Sequence, residues 1–397
     1  MTAPPLARYG ALTLFYFAAI GLFNPYAPLW FQSLGMSTLM IGGIASLQSW
    51  TRIFAPYAWS WIGDHRGSRV ELIRLAALGA TLSAMGLLAV PYIETSDTNQ
   101  RLLAVAVMTT LLFAANSGVV PLYEALLAQA LNTKDGIDPK RYGRVRVWGS
   151  VGFIASVSAF GVLLEQFGIG VFPAFVAAMN GLLLVAALRV PRAREEAVHD
   201  EPAPAALPLL KRPEIAWFFA SIFFTVLAHT SLYAFFSLYL VSLGYGKGAV
   251  GALWAVSLAV EIAFFWTQGR WFPRLAAHRW LQVVAAVTAL RFVATAAGGA
   301  IVPVLVLAQL THAITFAAHH AACITLVHRY FPGRLRGRGQ ALYTILGFGL
   351  SGVLGGVGGG WLISELGYAA VFWAAAVCAL AAWACVGQSQ RASARAN

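Results

Sequence analysis

Twelve stretches of mainly apolar residues follow one another along this chain, at about 9–31, 39–61, 70–93, 102–129, 146–165, 170–189, 214–240, 248–268, 280–299, 302–327, 340–363 and 369–387. About 20 such residues in a helix cross the hydrocarbon of a bilayer. Inside lipid every backbone polar group must find its partner within the protein, and a helix provides that locally. The spacing therefore predicts an all-α membrane protein with twelve transmembrane helices. The composition agrees, with 59% of the 397 residues hydrophobic and 11% charged, where soluble domains carry about 25% charged residues. The first run, from Tyr9 to Phe31, is too long for the apolar core of a cleavable signal peptide. Cys323, Cys378 and Cys385 all fall in apolar runs, as small core residues do, and not in a disulfide framework.

Charge gives the chain a direction. With the N-terminus placed in the cytoplasm, 23 of the 27 Lys and Arg lie in the segments that come out inside, and Arg101 and Lys247 lie outside. Arg52 and Arg291 fall within helices. Basic residues collect on the cytoplasmic side of membrane proteins, and an error of one helix would invert every later loop. Both termini are thus expected in the cytoplasm, with the chain in the inner (cytoplasmic) membrane. The same pattern explains the net charge of +12 without a nucleic-acid partner. The long polar interval from Arg189 to Pro213 contains Pro191, Pro202, Pro204, Pro208 and Pro213, the composition of a flexible linker. It predicts a six-helix bundle over 1–188, a cytoplasmic linker over 189–213 and a second six-helix bundle over 214–397.

No G-x-x-x-x-G-K-[ST] stretch is present, so no phosphate-cradling loop for ATP is expected, and work against a gradient would need an ion or an exchange partner. No nucleophile–base constellation stands out, so an enzyme is not expected. No HExxH or cysteine cluster predicts a metal or other cofactor. His319 and His320 are adjacent and diverge by about 100° on a helix, a poor ligand pair. Gly352, Gly356 and Gly360 repeat at a spacing that lets helix backbones approach closely, either as plain packing or as a sliding element.

The first inner loop reads Ser60-Trp61-Ile62-Gly63-Asp64-His65-Arg66-Gly67-Ser68-Arg69. Asp64, Gly67 and Arg69 match the loop motif G-x-x-x-D-[RK]-x-G-[RK]-[RK] of the major facilitator superfamily, which this chain resembles. Ser60, His65 and Ser68 depart from the motif, and in the corresponding loop of the second half Arg274 stands in the place of the acid. The stretch from Phe15 to Trp30 and the stretch Tyr142-Gly143-Arg144-Val145-Arg146-Val147-Trp148-Gly149-Ser150-Val151-Gly152-Phe153 are similar to helices one and five of lactose permease and its relatives. Arg52-Ile53-Phe54-Ala55-Pro56 and His312-Ala313-Ile314-Thr315-Phe316 are closer to the phenylpropionate permease group. The resemblance implies two bundles of inverted three-helix repeats that alternate access to a central site. It also implies a monomer, and Asp64, Gly67 and Arg69 acting as a conformational latch.

Ionisable residues inside a membrane are functional candidates by default. Here they are Arg52, Glu124, Glu261, Arg291, His229 and His312. Glu124 and Arg146 resemble the acid–arginine pair of the lactose permease sugar site. Arg291 and His312 resemble its arginine of helix nine and histidine of helix ten. Thr315 stands where that carrier has its proton-linked glutamate, so its site does not transfer whole. These residues are either buried ion pairs that join helices, Arg52 with Glu124 and Arg291 with Glu261, or parts of a transport site. His229 is read equally as a core histidine.

For transport, Glu261 beside Arg291 and His312 is the preferred proton carrier, with Glu124 second. Arg52, which cannot give up its proton, is the preferred anchor for a substrate carboxylate. Asn24 would add hydrogen bonds where Pro25 and Pro28 break the first helix, and Tyr26, Tyr123 and Tyr233 would supply aromatic walls. Trp30 is read as packing. Helix five lacks the Gly-Pro-rich motif frequent in antiporters, which favours symport. The expected activity is proton-coupled symport of a small organic solute such as an aromatic carboxylate. A sugar or nucleoside symporter and a membrane receptor that binds without translocating remain as alternatives.

Overall fold

Apolar runs of this length close their backbone hydrogen bonds by coiling, and the protein is helical almost throughout. The computed structural model describes residues 6–66, 69–92, 98–133, 136–137, 139–191 and 206–396. The first six long helices are α1 (Leu6–Ser33), α2 (Thr38–Arg66), α3 (Arg69–Ala89), α4 (Thr98–Asn116 continuing as Val119–Ala130), α5 (Pro139–Phe167) and α6 (Phe172–Arg189). The next three are α7 (Pro213–Ser242), α8 (Lys247–Trp271) and α9 (Ala277–Gly298). Helix α10 occupies Val302–Tyr330 and α11 Arg336–Leu366, and α12 is Tyr368–Ala396. Between α4 and α5 lies an antiparallel pair of two-residue strands, β1 (Asn132–Thr133) and β2 (Gly136–Ile137).

Eleven of these helices are long and apolar enough to cross a membrane. The twelfth, α2, is 29 residues long, ample for a crossing, but Gln48 and Arg52 lower its hydropathy. Two helices change pitch in mid-course: Ala313–Ala318 of α10 and Tyr343–Leu350 of α11 are π-helical. Such widened turns gather at functional sites, and nothing in the residue pattern foretold them. Pro25 and Pro28 do not break α1, which stays helical through both. Each removes only one amide donor, and close packing on α5 keeps the axis continuous. The Tyr26 hydroxyl donates to the Val157 carbonyl at 2.7 Å and Ser156 donates to the Ala18 carbonyl at 2.6 Å.

The same turn follows the first helix of each half. Ser33-Leu34-Gly35 ends α1 and Ser242-Leu243-Gly244 ends α7, with Gly35 and Gly244 at φ +83° and +88°. That left-handed conformation suits glycine. In both places the next amide returns to the helix, Met36 to the Phe31 carbonyl at 3.2 Å and Tyr245 to the Leu240 carbonyl at 3.0 Å.

The chain forms two compact units, 1–36 with 51–199, and 37–50 with 200–397. Residues 192–205 of the interval expected as a linker lie outside the described residues. In the first unit Tyr9, Leu12, Ile73, Ala77, Leu126, Leu127, Leu183 and Ala187 are buried in one apolar cluster. In the second, Phe218, Ile222, Val284, Cys323, Leu326 and Phe331 do the same.

The opening turns of α2 belong to the second unit, where they lie on the glycine stripe of α11. Thr38 donates to the Gly360 carbonyl at 3.0 Å and Ser46 to the Val353 carbonyl at 2.8 Å. A methyl group on Gly356 would stand 2.5 Å from the Gly42 carbonyl oxygen, whereas one on Gly358 would meet nothing within 4 Å. Gly356→Val is therefore expected to cost about 1–3 kcal/mol as overpacking, read as a lowered melting temperature of the purified protein. Gly358→Val should leave that temperature nearly unchanged, and equal melting of the two variants would refute the close approach.

Candidate functional site

In the first unit the polar residues gather where α1, α4 and α5 meet. Glu124 follows the break in α4, and Tyr142 and Arg146 lie one turn apart on α5. Arg146 Nε approaches Glu124 Oε1 at 3.6 Å, and the Tyr142 hydroxyl donates to Glu124 Oε2 at 3.0 Å. The Arg146 guanidinium also lies over the Phe17 ring at 4.6 Å, a favourable placement for a cation. Arg146 is thus a cation paired with Glu124. Arg52 and Arg146 both lie within electrostatic reach of Tyr16.

Beside this pair is a small cavity of about 10 Å³ lined by Leu12, Thr13, Tyr16, Phe17, Val119, Val120, Tyr123 and Glu124, room for a single water. The Tyr123 hydroxyl is buried, with Thr13 beside it. Tyr26 is fully buried with its hydroxyl engaged in the α1–α5 packing, and Asn24 is half-buried on α1. Trp30 packs on Phe31 and Phe172. The side chain of Asp64 and all of Gly67 lie outside the described residues; Arg69 opens α3.

The second unit holds a larger polar cluster, assembled from four helices. Trp254, Ser257 and Glu261 share one face of α8 by their spacing of three and four. Gln309, His312 and Thr315 come from the part of α10 that enters its π-helical turn, Arg291 from α9, and His229 and Tyr233 from α7. Arg291, which is 2% exposed, donates to Gln309 Oε1 at 2.8 Å, to Thr315 Oγ1 at 2.8 Å and to His312 Nδ1 at 3.1 Å. The Ser257 hydroxyl also donates to Gln309 Oε1. On its other side His312 Nε2 stands 3.5 Å from Glu261 Oε2. His312 stands between Arg291 and Glu261 and contacts both.

This geometry fixes the imidazole. Guanidinium is only a donor, so His312 Nδ1 accepts and the ring carries its proton on Nε2, facing Glu261. A second proton on that ring would point into Arg291. The Glu261 side chain is 24% exposed while that of His312 is 3% exposed, so the carboxylate is the open end of an otherwise sealed line. His312 also stacks on Phe316, with ring centroids 5.2 Å apart. Glu261 acts electrostatically on His320, which meets the Tyr343 hydroxyl at 3.3 Å. His229 Nδ1 lies 2.8 Å from the Thr225 carbonyl, and its ring packs edge-on against Phe292 at 5.5 Å.

Sequence reasoning singled out Glu261, Arg291 and His312, and they meet. It missed Trp254, Ser257 and Gln309. The face shared by Trp254, Ser257 and Glu261 was the available signal, since one polar stripe on an apolar helix marks its protein-facing side.

A family model, the MFS_1 like family, matches residues 6–374. The chain is 28% identical over 384 residues to the probable 3-phenylpropionic acid transporter of Escherichia coli (strain K12), covering 94% of this chain and 96% of that one. It is 29% identical over 393 residues to the maltose permease of Geobacillus stearothermophilus, covering 94% and 92%. A solved structure of a variant of the nucleoside transporter NupG superposes with a TM-score of 0.81 at 17% identity, covering 96% of this chain and 99% of that one. The POT family transporter PepTSo superposes with a TM-score of 0.77 at 11% identity, covering 98% of each. The chain belongs to the MFS_1 like family and is a multi-pass secondary transporter of the major facilitator type.

Proposed function

We propose that this transporter couples entry of a proton to import of a small organic acid bearing an aromatic group. It would act as a monomer in the inner membrane with both termini cytoplasmic. The observation that carries the coupling is the buried line Arg291–His312–Glu261. Arg291 holds the imidazole in one tautomer, which leaves the carboxylate of Glu261 as the place where a proton can be taken up and released. Partly exposed beside the sealed His312, Glu261 is placed where a proton could reach it from the open side.

The acidic solute is supported by the excess of positive groups over acids at these sites, with Arg52, Arg146 and Arg291 against Glu124 and Glu261, and by the similarity to a probable 3-phenylpropionic acid transporter. Glu124 with Tyr142 and Arg146 also suits hydroxyl-rich solutes, which keeps a sugar or nucleoside as the second reading. Proteoliposomes with an imposed proton gradient should take up labelled 3-phenylpropionate in preference to maltose or uridine. Addition of the solute should alkalinise a weakly buffered medium. Preference for maltose or uridine would overturn the acidic-solute reading. Uptake with no proton movement would overturn the coupling.

A further inference from the structure

Buried polar atoms nearly always have partners, so a cluster of exceptions asks for an explanation. Eight buried side-chain N or O atoms lack one among the described residues, and four of them belong to the second-unit cluster: Trp254 Nε1, Gln309 Nε2, Arg291 Nε and His229 Nε2. Their residues are 5%, 1%, 2% and 4% exposed. Arg291 and Gln309 are bonded directly. Trp254 lies one turn from Ser257, whose hydroxyl shares Gln309 Oε1, and stacks on Tyr233 with ring centroids 6.1 Å apart. Tyr233 in turn lies 6.3 Å from the His229 ring, which is within electrostatic reach of Arg291.

The chemistry of the four atoms is fixed by what their residues already do. Indole and guanidinium nitrogens only donate. Gln309 must turn its oxygen to Arg291 and Ser257, which leaves its NH₂ unmatched. His229 must donate from Nδ1, because the Thr225 carbonyl can only accept, and so its Nε2 is a bare acceptor. The set therefore presents three donors and one acceptor, beside the rings of Tyr233 and Phe292.

We infer that Trp254 Nε1, Gln309 Nε2 and Arg291 Nε form the subsite for the acid group of the solute, taking its carboxylate oxygens on three N–H donors, while the coupled proton stays with Glu261. The inference rests on the acidic-solute reading above and relocates the anchor from Arg52 to the second unit. No covalent bond is made or broken: the carboxylate enters on these donors, the proton on Glu261, and both leave together. Leaving such donors unpaired is costly, and a carboxylate satisfies them with charge-assisted bonds.

The test is equilibrium binding of 3-phenylpropionate and of 3-phenylpropan-1-ol to the full chain in lipid nanodiscs. Trp254→Phe keeps the ring that stacks on Tyr233 and removes one donor. It is expected to weaken binding of the acid about tenfold or more and to change binding of the alcohol less than twofold. Gln309→Leu should act in the same direction, with its melting temperature checked beside it. Unchanged preference for the acid in Trp254→Phe, or loss of that preference in Arg52→Ala alone, would overturn the subsite while leaving acidic-solute transport standing. A wild-type protein that ignores the acid and moves maltose or uridine would overturn both. A structure with 3-phenylpropionate bound elsewhere and ordered water alone on the three donors would also overturn the subsite.

Discussion

Glu261→Gln is expected to abolish accumulation of solute against its gradient while leaving exchange of solute across a membrane at equilibrium largely intact. The glutamine keeps the size of the side chain and an oxygen for the His312 N–H, but it has no proton to carry. A carrier lacking its exchangeable proton can still reorient with solute bound, so labelled solute inside should trade with unlabelled solute outside. It can no longer draw on the proton gradient, so the accumulation ratio should fall to about one. Entry of one carboxylate with one proton moves no net charge, so the pH gradient alone drives it, and a gradient of one pH unit, about 1.4 kcal/mol, sustains about a tenfold accumulation. The loss is thus large on the scale of the measurement. Alkalinisation of the medium on adding solute should vanish with it. Glu124→Gln, made in parallel, tests the other carboxylate. If Glu261→Gln accumulates solute as the wild type does and Glu124→Gln does not, the proton travels through the first unit.

The all-helical membrane fold was legible because the constraint behind it is crude and strong. Lipid demands about 20 apolar residues per crossing, and basic residues cannot be scattered on both sides without penalty. The positions of Glu261, Arg291 and His312 were legible for the same reason, since a charge in an apolar run cannot be neutral background. Their contacts were not. Whether Arg291 meets Glu261 directly depends on how helices α8, α9 and α10 are rotated about their axes, and the π-helical turn at Ala313–Ala318 sets the phase of α10 just past His312. Nor was the role of Tyr26 visible. Its place beside Asn24 and Pro25 suggested a cavity wall, but its hydroxyl closes a bond to Val157, 131 residues away. Trp254 and Gln309 escaped notice because an uncharged polar side chain in a helix carries little cost of its own. Only the full set of their partners shows that donors are left over.

Arg291→Ala should be the most damaging single change in the second unit, for stability and transport together. The guanidinium is the shared donor for Gln309, Thr315 and His312, and truncation strips all three at once in a place sealed from water. Breaking a buried charged network by removing one member costs about 3–5 kcal/mol, because the remaining groups stay buried without compensation. Arg291→Lys keeps the charge but replaces a planar fork with a single ammonium, so it should recover part of the stability and little of the uptake. The informative variant is the double one, Arg291→Met with Glu261→Gln. Removing both charges leaves no unbalanced ion beside His312, and neighbouring substitutions in one network are not additive. Its melting temperature should therefore lie above that of Arg291→Ala, with accumulation still absent. If Arg291→Ala melted and transported like the wild type, the guanidinium would not be the keystone of the cluster. If instead the double variant were the least stable of the set, Arg291 and Glu261 would be acting through separate neighbours and not along the line through His312.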